Sequence, residues 1–162
     1  MRYIIVTFFI IIAFGFSNIP NKSGIKIYSI SGNFKNSIKD CKYCFDEKSV
    51  TLSEKPILEE TDIENFNWKE QRIILTESGK QKISKLKIEL SGLPVVMTLN
   101  DERIYGLWFW NLFSSFGCDR VYTYPKSDFK IGFGLPNKNT FGGDPRYNKS
   151  LENYVINKFK QN

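Results

Sequence analysis

The chain contains no histidine. Imidazole is the usual general base at neutral pH and the commonest zinc and iron ligand, so its absence excludes Ser-His-Asp hydrolysis, Cys-His proteolysis and histidine-metal catalysis. Cysteine is nearly as scarce: of three residues, Cys41 and Cys44 stand in Cys-Lys-Tyr-Cys and Cys118 stands alone. The Cys-x-x-Cys lies in a polar stretch rather than at a helix start behind a core strand, which argues against a thioredoxin-type redox centre. A zinc site built from all three thiolates lacks a fourth ligand other than a carboxylate. What remains is one disulfide, Cys41 or Cys44 with Cys118, or unpaired buried thiols. No cofactor is implied.

Long apolar runs are also few. One stands at the start, where Arg2 precedes a run from Tyr3 to Phe16 that is apolar apart from Thr7 and two small residues. This is the pattern of a signal peptide over residues 1–17, with small-x-small pairs at Ala13 and Gly15 and at Gly15 and Ser17 to mark cleavage. The run is shorter than the roughly 20 residues a spanning helix needs, and no cysteine follows it to carry a lipid. Residues 18–24 read as a linker and 25–162 as a single domain. The expected address is periplasmic or secreted, with membrane contact only through an uncleaved leader.

What the chain does contain is enough apolar material for a core. Of 162 residues, 41% are hydrophobic and 25% charged, which places it with folded domains rather than disordered segments. The net charge of +6 comes mostly from lysines spread along the chain. No predicted helix gathers them into a basic stripe, so the excess reads as solvated surface and nucleic acid is not expected as a partner.

Ile25-Lys26-Ile27-Tyr28-Ser29-Ile30 alternates with period two and predicts a half-buried strand ended by Gly32 and Asn33. A short strand is expected at Ser49 to Leu52, and Thr61-Asp62-Ile63-Glu64 caps one helical turn before Trp68. Gln71 to Leu75 reads as a buried strand, followed by a helix from Thr76 to about Leu90 with Ile83, Leu86 and Leu90 on its core face. Leu93 to Leu99 is apolar almost throughout and predicts a central strand; Asn100 to Arg103 turns it back into Ile104-Tyr105. Gly106 to Gly117 is the most aromatic passage; as a helix it would align Phe109, Leu112, Phe113 and Phe116, with Trp108 and Trp110 on the flanks. Arg120 to Tyr124 is a strand stopped by Pro125, and Phe129 to Phe133 adds an edge strand. A Gly- and Asn-rich loop then leads to a closing amphipathic helix at about Lys149 to Lys160. The fold class is α+β: a mixed or antiparallel sheet with helices packed on one face.

The middle of the chain, roughly residues 55–125, resembles the head subdomain in the first periplasmic domain of the SecD and SecDF protein-export subunits. Pro56-Ile57-Leu58-Glu59-Glu60-Thr61-Asp62-Ile63 is similar to the family's lead-in. Ile73-Ile74-Leu75-Thr76-Glu77-Ser78-Gly79-Lys80 is similar to its strand into a Leu-Thr-x-x-Gly helix. Gly92-Leu93-Pro94-Val95-Val96-Met97-Thr98-Leu99-Asn100-Asp101 is similar to its apolar strand and turn. The family's turn glycine and its Ser-Ala-Pro are replaced here, and the aromatic run is foreign to it. The export subunits also carry several membrane-spanning helices that this sequence lacks, so proton-driven translocation does not carry over. The resemblance implies the fold, an extracytoplasmic address and an unfolded or exported polypeptide, or an envelope protein, as partner.

Chemistry-bearing residues are few. Glu60, Asp62, Asp101 and Glu102 could supply carboxylates for acid-base work, and their simpler role is capping and turn formation. Gly142-Gly143-Asp144-Pro145-Arg146 places Arg146 in a loop able to grip a ligand, or in a turn before the last helix. Tyr105, Trp108 and Trp110 could form an exposed binding patch or fill the core. The reading is a noncatalytic binding or accessory module. The alternatives are a small secreted enzyme using carboxylates and a surface-interaction or inhibitor protein. The sequence sets no oligomeric state.

Overall fold

The computed structural model of the chain describes residues 24–32, 38–136 and 139–160. The expected leader, and all of the linker but Gly24, lie outside them. Seven strands form one mixed sheet: β1 (Ile25–Ser29), β2 (Ile63–Asn67), β3 (Arg72–Leu75), β4 (Leu93–Leu99), β5 (Glu102–Phe109), β6 (Cys118–Tyr124) and β7 (Asp128–Leu135), in the order β1-β4-β5-β6-β7-β3-β2. Two helices, α1 (Glu77–Lys85) and α2 (Lys149–Lys158), complete an α+β arrangement. Among the described residues no helix is long and apolar enough to cross a membrane.

The expected strands at the start of the chain and at Leu93 to Leu99 are present, and the second has β1 on one side and β5 on the other. Its residues Val95 to Leu99 are buried on both faces, as a continuous apolar run in an inner strand should be. The β4–β5 hairpin closes through Asn100 and Asp101, both at positive φ (51° and 65°), which matches the primed turns that follow the twist of paired strands. Thr76 caps α1, its hydroxyl accepting from the Gly79 N–H at 3.2 Å.

Four expectations are corrected. Helix α1 stops at Lys85, not near Leu90; the chain beyond it is extended and buries Ile88 while Leu90 stays half exposed. The turn at Glu60–Asp62 is a single 3-10 turn, and Ile63 passes directly into a strand. Leu52 makes only an isolated bridge, to Ile30. Strand β7 is no edge, because β3 pairs with its outer side. The free flank of β1 is partly covered by 51–58, where Ile27 donates to the Leu58 carbonyl at 2.9 Å and accepts from Ile57 at 2.7 Å.

The aromatic passage is the largest departure. Residues through Phe109 continue β5 instead of forming a helix. Period two sends Tyr105, Leu107 and Phe109 to one face and Gly106, Trp108 and Trp110 to the other. The first set joins the main core, together with Ile83 of α1 and Leu151 and Val155 of α2; the two tryptophans belong to a second cluster with Tyr43 and Cys118. Strands β5 and β6 are parallel, pairing Trp108 with Tyr122 and Phe109 with Thr123. The chain must therefore travel back along the sheet between Phe109 and Cys118. Such crossovers usually need about a dozen residues, and 110–117 has fewer, so an extended, turning path replaces the helix.

Candidate functional site

The structure places Tyr105, Trp108 and Trp110 inside the protein, at 1%, 6% and 2% exposure, so they form no surface patch. Tyr105 lies in the main core, and the two tryptophans, on the other face of the sheet, are covered by the segment around Cys41 to Val50. Tyr43 stands edge-on to both indoles, with ring centroids 5.0 Å away. Trp108 donates its indole N–H to the Tyr43 carbonyl at 2.8 Å. Gly106 leaves room for the Phe45 ring; a Cβ there would come within 2.4 Å of it. The Asp119 carboxylate accepts from the N–H groups of Lys42 and Tyr43, and one Arg103 nitrogen donates to the carbonyls of Glu47, Lys48 and Val50.

A disulfide between Cys41 and Cys44 closes this segment, and Cys118 is a buried free thiol. Pairing with Cys118 is thereby corrected. Cysteines three apart in a turn meet without help from the rest of the fold, whereas Cys118 lies under the tryptophan cluster. Burial pushes its thiol up to about 12.

Arg146 does not join the tryptophans in an open site. It clamps Asp144 through paired hydrogen bonds of 2.7 to 3.1 Å and donates to the Ile131 carbonyl at 2.7 Å. Asp144 in turn accepts from the Arg146 backbone N–H at the start of a 3-10 turn. The loop does bring Pro145 close to Tyr105, Trp108 and Arg120, around a cleft of only about 40 Å³. That is room for little more than a water.

The four carboxylates do not converge either. Glu60 accepts from the Ile25 N–H at 3.1 Å and from the Tyr154 hydroxyl, and pairs with Lys158 at 2.7 Å. Asp62, 1% exposed, accepts from the Glu59 N–H at 2.9 Å, from Ser78 at 3.0 Å and from Lys82 at 2.6 Å. Burial works against ionisation of both, yet these donors outweigh it and hold both carboxyls below the usual range. Asp101 pairs with Lys26 at 2.8 Å, and Glu102 is exposed beside a wide, open groove of about 560 Å³ between the β4–β5 turn and α2. Neither Glu60 nor Asp62 has the raised pKa and free oxygen a general acid requires. Among the described residues no three acidic or cysteine side chains are grouped to hold a metal.

The feature best suited to binding is the return loop after Trp110. Phe113 is 90% exposed, Leu112 55% and Phe116 47%. The loop is nonetheless held in place: Asn111 donates its amide N–H to the Ile88 carbonyl at 2.8 Å, and its side-chain oxygen accepts from the Phe113 N–H at 3.0 Å. The Phe116 N–H bonds to the Ser114 hydroxyl at 3.2 Å, and the Lys42 ammonium stands 5.2 Å over the Phe116 ring. Beneath the loop lies a cavity of about 190 Å³. Ile88, Leu112, Phe113 and Tyr124 make its walls apolar, Trp110 adds an indole face, and Asn111 and Lys126 contribute polar groups. The indole N–H of Trp110 is buried with no hydrogen-bond acceptor among the described residues.

Of Tyr105, Trp108 and Trp110, Trp110 alone lines this cavity. Read as a helix, the passage aligns Leu112, Phe113 and Phe116 on one face with Phe109, whereas they stand on the return loop; Ile88, Tyr124 and Lys126 carry no such signal because they lie outside this passage. The brevity of the link from 110 to 117 was the one available cue. Comparison of the chain with family models, with curated proteins and with solved structures finds no match.

Proposed function

We propose that the chain is an extracytoplasmic, noncatalytic binding module that captures an apolar side chain of a polypeptide in the cavity under the 111–117 loop. The observation that carries this reading is the 190 Å³ apolar cavity with Phe113, 90% exposed, at its rim. Leu112 and Phe113 stand in water beside one apolar cavity, with Phe116 exposed on the same loop, and exposed apolar surface of this kind marks interaction sites. A cavity of this size takes one aromatic or branched side chain; an engineered cavity of about 150 Å³ takes benzene. The leader-like N-terminus and the resemblance to an export-subunit head supply the compartment and the polypeptide class. The occupied carboxylates weigh against the enzyme alternative.

The test is a titration of the purified protein with short extended peptides carrying a single Phe or Leu, followed by tryptophan fluorescence and amide chemical shifts. Binding should perturb Trp110 and residues 111–113. Replacing Leu112 and Phe113 together with serine should weaken it at least about tenfold while stability changes by less than about 0.5 kcal/mol, as for exposed sites. Peptides that fail to bind at millimolar concentration, or that bind the double variant equally well, would remove this proposal.

A further inference from the structure

The geometry points to recognition of a polypeptide C-terminus: the last, apolar side chain enters the cavity and its α-carboxylate pairs with Lys126. This rests on the polypeptide-binding reading above and narrows it. Lys126 is exposed, lines the cavity, and donates to the Ser84 carbonyl at 3.1 Å. Among the described residues no carboxylate lies within ion-pair distance of it, in contrast to Lys82 with Asp62 or Lys158 with Glu60. A neutral carbonyl thus holds an ammonium at the edge of an apolar hole without consuming its charge. An apolar group with an anion attached is the complement of that arrangement.

Size separates the possible carriers of this chemistry. About 190 Å³ is close to one large side chain, and a long acyl chain does not fit. An internal peptide segment would lead two flanks of chain past Phe113 and offer no charge to Lys126. A chain end leads in one flank and brings its carboxylate. A free arylalkyl carboxylate shares the same chemistry, and the experiment separates it from a chain end.

The purified protein is titrated calorimetrically with four probes: a hexapeptide ending in Phe with a free carboxylate, its C-terminal amide, an isomer with Phe internal and an amidated end, and N-acetylphenylalanine. The free acid should bind at least about tenfold more tightly than either amidated peptide. K126Q should lower the free acid to the amide's affinity and leave the amide unchanged. Equal affinity for acid and amide, or indifference of the acid to K126Q, overturns the C-terminal inference while the polypeptide reading stands. If no peptide binds, both fall. N-acetylphenylalanine, which carries the terminal side chain and α-carboxylate, should bind like the free-acid hexapeptide; binding more than about tenfold tighter would make the ligand a small arylalkyl carboxylate and would overturn both. Lys126 is exposed and, among the described residues, its ammonium bonds to a carbonyl alone, so K126Q should unfold at the wild-type denaturant midpoint; a midpoint shift large enough to explain weaker binding would count against the inference.

Discussion

Trp108 and Tyr43 hold each other twice, by an indole N–H donated to the Tyr43 carbonyl at 2.8 Å and by an edge-on ring contact at 5.0 Å. The segment that buries the second face of the sheet is therefore fastened directly to the aromatic strand it covers.

The first prediction concerns the disulfide that closes this segment. Cys41 and Cys44 are separated by three positions, and a loop that short gains about 2 kcal/mol from cross-linking on the chain-entropy account. Reduction should lower stability by that order and shift tryptophan emission to the red as Trp108 and Trp110 gain access to water. Alkylation followed by mass measurement checks the same region. The oxidised native protein should take up no label at pH 8, because burial holds the Cys118 thiol at about 12, and the denatured oxidised protein should take up one. Labelling of Cys118 in the native state would mean that the thiol is open to solvent and not buried.

Gly106→Ala tests the packing from the opposite side. A Cβ at this position comes within 2.4 Å of Phe45, so the ring must move off the sheet. Overpacking of this kind costs about 1–3 kcal/mol, read as a lower denaturant midpoint. The aromatic-loop cavity should keep its peptide affinity, since Phe45 and Gly106 do not line it.

The third prediction concerns acid. The donors around Asp62 hold its folded pKa below the ordinary aspartate value, so its stabilisation is present above that unfolded value and is lost as pH falls through the lower folded one. At neutral pH Asp62→Asn should cost about 2 kcal/mol, since charged hydrogen bonds to Lys82 and the Glu59 N–H are weakened. Below about pH 4, where the wild type begins to lose this contribution, the gap between the two proteins should narrow. Unfolding curves measured from pH 7 to pH 2.5 decide it; a constant gap would mean that Asp62 is not held ionised by these partners.

Much of the sheet was legible because its strands carry local signals. Ile25 to Ser29 alternates, Leu93 to Leu99 is apolar throughout, and Asn100-Asp101 has the chemistry of a tight reversal. The start of α1 was legible from Thr76 and Glu77. Its end was not, because Ser91-Gly92 supplies an obvious stop, while the chain leaves the helix at Lys85 for the sake of burying Ile88. The aromatic passage was misread for a related reason. A run of large apolar residues fits a helix face and a two-sided strand equally well, and only the parallel pairing with β6 chooses between them.

The sequence by itself determined an α+β chain without histidine chemistry, with three cysteines whose pairing it left open and with its aromatic weight concentrated between Tyr105 and Phe116. The tertiary structure decided which of those aromatics meet water. Trp108 and Trp110 are roofed by a segment more than fifty residues earlier in the chain, while Leu112 and Phe113 are left at the surface by a return too short to fold over them. The cavity they border draws Ile88 from one other place in the chain and Tyr124 and Lys126 from a second, and contacts between separate segments leave no local pattern to read.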